Sequence, residues 1–183
     1  MLVEIIAAID FVGGDMQRFL VNGGNIKDLA YEIYKNLDKN RRPVFVCVGS
    51  DRFVCDSLAP IVAEYLRGTY NISAFVYGGL DYNITAENLS SAMNYITTEH
   101  SREQIVLIDA AVGENLGEIM VTRSSYPALG RALPITSPAD FSVLGVVGCK
   151  SADFNLNSTR LRVVVDMAKT ISKAVAMAMS VFA

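Results

Sequence analysis

The residues best placed to do chemistry in this sequence are aspartates that follow short apolar runs. Val44–Val48 is continuous apolar text and leads into Gly49-Ser50-Asp51-Arg52-Phe53-Val54-Cys55-Asp56-Ser57. Ala74–Tyr77 leads into Gly78-Gly79-Leu80-Asp81, and Ile105–Ile108 into Asp109-Ala110-Ala111-Val112-Gly113. Read as neighbouring strands of one parallel sheet, these runs bring their carboxyl ends to a single rim, where open α/β sheets bind ligands. Asp56 and Asp109 are then the candidate catalytic pair, with Asp51, Ser57, Gly78, Gly79 and Asp81 as candidate substrate contacts. Two carboxylates about 4 Å apart repel by roughly 4 kcal/mol at an effective dielectric near 20. That corresponds to about 3 pKa units, enough to keep one of them protonated near neutrality. A pair sharing a proton in this way divides the labour of activating a water and protonating a leaving amine.

Each of these residues also has a structural reading. Asp56 stands just ahead of an expected helix, where Asp is a favoured N-cap, and capping and a site role are compatible. Asp109 closes an apolar run, so its charge needs a partner or solvent. Asp51 can pair with Arg52 or fix a turn, and Asp81 follows two glycines as turn aspartates do. His100, the single histidine, lies in the polar text Thr98-Glu99-His100-Ser101-Arg102 and reads as a solvated loop residue. One histidine removes most zinc and nickel sites, so no metal and no cofactor are expected. Three cysteines without metal-like spacing do not form a secreted disulfide framework. Cys47 and Cys149 lie in apolar runs and read as small hydrophobes, and a thiol nucleophile at Cys55 ranks below the aspartate pair. The text contains no GxGxxG after a strand, no P-loop and no GxSxG elbow, which leaves out the common nucleotide and α/β-hydrolase sites.

The elements that position these residues alternate. A helix is predicted over Ile26–Leu37, capped by Asn25, with Ile26, Leu29, Ala30, Ile33 and Leu37 on one face. Helices follow near Leu58–Arg67, with Pro60 in the first turn and Gly68 as its stop, and near Ala86–Thr97, with Thr85 as cap. The apolar runs already named are strands, and Glu118–Thr122 and Phe141–Val147 are two more. Ser124–Ala139, with three prolines, is expected to be loop. Ser158–Val181 is a long helix whose stripe is Leu161, Val164, Val165, Ala168, Ile171, Val175 and Ala178. Strands alternating with helices predict an α/β fold, a three-layer αβα sandwich around a mainly parallel sheet. All 183 residues are expected in one domain, with 1–40 an N-terminal extension and 43–180 the core.

The composition, half apolar with a net charge of −3, is that of a globular protein and offers no basic patch for nucleic acid. The adjacent Arg41 and Arg42 read as a solvated boundary ahead of a strand. The start of the chain lacks the positive region of a signal peptide, and no run is long enough for a membrane span. A soluble, cytoplasmic protein is expected.

Several ordered motifs resemble one family. Gly49-Ser50-Asp51-Arg52-Phe53-Val54-Cys55-Asp56-Ser57-Leu58-Ala59-Pro60 resembles the GTDRSTGDSLGP signature of the YyaC-type sporulation proteins. Val76-Tyr77-Gly78-Gly79-Leu80-Asp81 resembles their VYGTLD, Ile108-Asp109-Ala110 their IDA, and Asn157-Ser158-Thr159-Arg160-Leu161 their NTRL segment. The likeness spans about Val44 to Ile171. These proteins are similar to the spore germination protease and, more remotely, to hydrogenase maturation proteases. The resemblance implies a germination-protease (phosphorylase/hydrolase-like) αβα sandwich with two essential aspartates, one before an LGP motif and one in an IDA motif. Carried over, they are Asp56 and Asp109. This chain departs from the pattern at Ala59 for the LGP glycine, at Ser50 and Gly79 for threonines, and at Pro127-Ala128-Leu129-Gly130 for PGAG. Where the maturation proteases carry an acidic metal ligand ahead of paired glycines, Tyr77 stands here.

The expectation is therefore a cytoplasmic, sporulation-linked peptidase, in the forespore or spore interior, that acts on a protein or peptide through the Asp56–Asp109 pair. The alternative is a binding or regulatory protein without catalysis on the same fold. A third reading is a small-molecule hydrolase using the same carboxylates. The apolar C-terminal helix is compatible with a homo-oligomer.

Overall fold

Pro43–Cys47 (β3) shows why the centre of this chain becomes sheet: every residue is buried and apolar, as a strand covered on both faces requires. The computed structural model describes residues 7–8, 16–20, 25–123, 127–128, 135–136, 139–149 and 159–182. In chain order the further elements are β1 (Ala7–Ala8), β2 (Met16–Leu20), α1 (Ile26–Asn36), α2 (Leu58–Glu64), β4 (Phe75–Tyr77) and α3 (Leu89–Glu99). They continue with β5 (Gln104–Gly113), β6 (Glu118–Thr122), β7 (Pro127–Ala128), β8 (Ile135–Thr136), β9 (Phe141–Cys149) and α4 (Leu161–Phe182).

The main sheet has the order β2-β6-β9-β5-β3-β4, with β1 also paired to β5. The four strands β4, β3, β5 and β9 run parallel, while β6 is antiparallel to β9 and to β2. Alternating side chains of β3 and β5 feed two cores. Phe45, Cys47, Val106 and Ile108 join Leu29 and Ile33 of α1, Leu58 and Val62 of α2, and Val164, Ile171 and Val175 of α4. Val44, Val46, Ile105 and Leu107 meet Leu89, Met93 and Ile96 of α3 on the opposite face. The result is the expected αβα sandwich. Asn25 caps α1 as predicted, its side chain accepting from Lys27 N at 3.0 Å. Among the described residues no helix is long and apolar enough to cross a membrane.

Several local expectations are corrected. The helix after Leu58 does not stop at Gly68 but ends in a wider turn over Tyr65–Thr69, closed by Tyr70 N donating to Tyr65 O at 2.9 Å. α3 begins at Leu89 rather than Ala86, because Asn88 folds back: its Oδ1 accepts from Thr85 N and its Nδ2 donates to Asn83 O. Residues 124–139, expected to be loop, contain the two-stranded β7–β8 pairing. Leu161, placed on the apolar stripe of α4, is 55% exposed, and Met167 and Ala174 are buried in the stripe instead. His100 is buried, not solvated: it sits at the end of α3, and Tyr77 Oη lies 2.8 Å from its Nε2. Cys149 is exposed, whereas Cys47 and Cys55 are buried. Arg41 is not merely solvated, since it forms an ion pair of 2.6 Å with Asp140 and bonds the Glu103 carbonyl. Arg42 lies over the Phe75 ring.

Candidate active site

Asp109 stands where the edge of β5 changes neighbour. β3 pairs with β5 from Pro43↔Gln104 to Cys47↔Ile108, and Val48 N still donates to Ile108 O at 2.9 Å. At that point the chain leaves β5: Val48 and Gly49 bridge to Ile84, with Gly49 N donating to Ile84 O at 2.7 Å. Farther along the same edge β1 joins, pairing Ala7 with Ala111. Asp109 and Ala110 lie in the interval between these two partners, and on the other edge Asp109 is in register with Leu144 of β9. Asp109 is thus inside a ten-residue strand, not at its end as the apolar run suggested. The strand that ends beside it is β3.

Asp56 comes from the loop after β3, near enough for its charge to act on Asp109. Residues Val54–Ser57 form a tight 3-10 turn ahead of α2, in which Asp56 N donates to Phe53 O at 3.0 Å and Ser57 Oγ to Val54 O at 2.8 Å. Ser50 N closes the loop on the Asp56 carbonyl at 3.1 Å. The N-cap position of α2 falls on Ser57, and no side chain caps that end, so the capping reading of Asp56 is not realised. Its carboxyl is instead buried: the residue is 2% exposed and Oδ2 has no hydrogen-bond partner among the described residues. Asp109, 6% exposed, accepts from Ala110 N at 2.7 Å through Oδ1.

The two carboxyls interact electrostatically. Burial pushes Asp109 well above the usual carboxylate range, and the negative charge of Asp56 pushes it further, against a hydrogen bond from the Ala110 backbone. Burial also raises Asp56, to about 7, opposed by a backbone hydrogen bond from Ser50. The asymmetry has a simple cause. While Asp109 keeps its proton it places no net charge on Asp56, whereas ionised Asp56 makes it harder for Asp109 to ionise. Asp56 is therefore poised to exchange its proton near neutrality, and its charge biases Asp109 toward the protonated form. The neighbouring thiols stay protonated: burial, then the Asp56 charge, pushes Cys55 up to about 11, and burial pushes Cys47 up to about 12.

The other expected site residues serve the walls. Gly78 and Gly79 are buried at backbone angles φ +85 and +136, which favour glycine. A Cβ on Gly78 would overlap the Cys47 carbonyl, and one on Gly79 would overlap the Arg67 guanidinium and Glu64 carboxylate. Arg67, paired with Glu64 at 2.8 Å, donates to the Gly78 carbonyl at 2.7 Å, and Glu64 accepts from Leu80 N at 3.1 Å. These two residues, not singled out in the sequence, hold the glycine loop against the end of β3. Asp51 pairs with Asn83 rather than Arg52: Asn83 Nδ2 donates to its Oδ1 at 2.9 Å. Asp81 is exposed at the tip of the same loop, and the Ser57 hydroxyl is engaged in its own turn. Pro127–Gly130 lies partly outside the described residues. Among the described residues no three His, Cys, Asp or Glu side chains gather as a metal ion would need.

With this geometry in view, comparison with known proteins gives three findings. The family model described as "Protein of unknown function (DUF1256)" matches residues 20–174. The YyaC protein of Bacillus subtilis (strain 168), described as uncharacterized, is 27% identical over 139 residues, covering 73% of this chain and 68% of that protein. The crystal structure of the [NiFe] hydrogenase maturation protease HycI from Thermococcus kodakarensis KOD1 superposes with a TM-score of 0.52 at 16% identity. It covers 81% of this chain and 98% of that one, which is a likeness of fold.

Proposed function

The chain belongs to the DUF1256 family, and from that premise and its carboxyl pair we propose that it is a peptidase of the germination-protease type, acting on a spore protein or another polypeptide of a sporulating cell. The observation that carries this reading is the buried Asp56 acting electrostatically on Asp109, with Asp56 Oδ2 unpartnered among the described residues, Asp56 raised to about 7 and Asp109 raised well above the usual carboxylate range. A buried carboxyl oxygen with no partner, such as Asp56 Oδ2, costs about 1–3 kcal/mol for its unmet hydrogen bond. Such strained polar groups are what catalytic sites retain. The HycI likeness supports a protease-like fold for the same scaffold.

In this mechanism a water held between the carboxyls gives a proton to ionised Asp56 as its oxygen attacks the scissile carbonyl carbon. Asp109 then gives its proton to the amide nitrogen as the C–N bond breaks, releasing an amine and an acid. Transfer of the proton from Asp56 to Asp109, through the next water, restores the starting state. The test is incubation of the purified protein with unfolded polypeptides and a peptide library at about pH 8, with new termini read by mass spectrometry. Cleavage by the wild type that is lost in Asp56→Asn and in Asp109→Asn is expected. No new termini, or equal cleavage by Asp109→Asn, overturns the reading and leaves the binding or regulatory alternative.

A further inference from the structure

The rim around the carboxyl pair is short of hydrogen-bond donors and of positive charge. Asp56 Oδ2 and Asn83 Oδ1 are the two buried side-chain oxygens without a partner among the described residues. Asn83 has a fixed orientation: its Nδ2 donates to Asp51 at 2.9 Å, which leaves the amide oxygen as the unmet end. Its backbone is pinned as well, since Asn88 Nδ2 donates to Asn83 O at 3.0 Å and Gly49 N to Ile84 O at 2.7 Å. Segments 49–57 and 78–88 carry Asp51, Asp56, Asp81 and Glu87 against the single cation Arg52. Arg67, behind the glycine loop, is spent on Glu64 and on the carbonyls of Val76 and Gly78. Either side of Asp81, Leu80 is 43% and Tyr82 73% exposed, so an acidic tip is flanked by an aliphatic and an aromatic side chain.

We propose that this rim is a subsite for a basic side chain, lysine or arginine, of the polypeptide substrate, which deepens the peptidase reading and rests on it. Ammonium and guanidinium groups are donors only, which matches a rim whose unmet groups accept. One N–H goes to Asn83 Oδ1, Asp51 and Asp81 supply counter-charge, and the Tyr82 ring covers the aliphatic stem and faces the cation. Asn83 is therefore a specificity-determining residue. The buried Asn83 oxygen distinguishes the place from a solvated acidic surface: one amide end is tied to Asp51 and the other lacks a donor.

The test separates recognition from catalysis. Asp109→Asn protein is titrated with fluorescein-labelled random-sequence peptide pools that differ only in a central Arg, citrulline or Glu, and binding is read by anisotropy at low and high salt. The Arg pool is expected to bind about tenfold more tightly than the citrulline pool, with the advantage shrinking at high salt. Asp81→Asn and Tyr82→Ala, both at exposed positions that leave the fold intact, are each expected to cut that advantage severalfold. Asp56→Asn serves as the second inactive background if thermal melting shows Asp109→Asn to be unfolded. Equal binding of the Arg and citrulline pools, a preference for Glu, or an advantage untouched in both rim variants overturns the subsite. Wild-type cleavage of all pools without preference overturns the subsite alone. An Arg preference in binding with no pool cleaved by the wild type supports the subsite and overturns the peptidase reading.

Discussion

Replacing Asp56 by Asn should make the protein more stable at alkaline pH and flatten the dependence of its stability on pH. In the folded protein Asp56 releases its proton at about 7, against the ordinary 3.8 of an exposed aspartate. Between those values the native state holds a proton that the unfolded chain has lost. Stability from this group is therefore present below about pH 4, declines as pH rises, and is gone above about pH 7. That difference corresponds to about 4 kcal/mol in all, of which about 2–3 kcal/mol falls between pH 5 and pH 8. Asp109, also raised, adds a slope of the same sign, but it is present in both proteins, so the difference between wild type and variant reports Asp56. Asn at position 56 cannot ionise, and its amide nitrogen inherits the unpartnered place of Oδ2 at a cost of about 1–3 kcal/mol. The variant should thus gain about 1–3 kcal/mol over the wild type at about pH 8, seen as roughly a 5 °C rise in Tm for a chain of this length. Urea unfolding of both proteins at several pH values is the assay. Wild-type and variant stabilities that run parallel from pH 5 to pH 8 would refute the buried, pKa-raised Asp56 on which the reasoning stands.

Further outcomes follow from the same geometry. If the peptidase reading holds, kcat/KM should rise about tenfold per pH unit below about 7 as Asp56 ionises, then fall at higher pH as Asp109 loses its proton; a flat profile contradicts the division of roles. Gly78→Ala, which puts a methyl group against the Cys47 carbonyl at φ +85, should cost on the order of 1–3 kcal/mol in urea unfolding, and an unchanged midpoint would show that the glycine loop relaxes. Cys55→Ala should retain cleavage within about threefold, because its thiol near 11 is protonated in the working range; loss of cleavage without loss of folding would make the thiol the nucleophile.

Some of this was legible in the residues and some was not. Strands such as Pro43–Cys47 are legible because burial on both faces leaves them no polar positions. The Asp56 and Asp109 motifs are legible because each follows an apolar run, although Asp109 proved to lie within β5, whose later residues Ala110–Val112 are also buried and apolar. The edge break beside Asp109 depends on where β3 ends and β1 joins, and no local pattern reports that. Asn83 was missed for a similar reason: its partner Asp51 is 32 residues away, across two loops that meet only in the fold. His100 misled because its sequence neighbours are polar, while the groups that bury it, Phe75 and Tyr77, arrive from β4. Glu64 and Arg67 look like an exposed helical pair, and their contacts with Leu80 N and the Gly78 carbonyl come only from the return of the chain after β4.

The account rests on two acids coupled inside one cleft, and a carbon-13 NMR titration of the aspartate side-chain carboxyls measures that directly. One resonance should titrate at about 7 and a second well above the usual carboxylate range, and in Asp56→Asn the second should move down because the charge that helped raise it is gone. If every aspartate carboxyl titrates near 4, or if the Asp109 resonance is indifferent to Asp56→Asn, the coupled pair does not exist and the mechanism built on it is wrong.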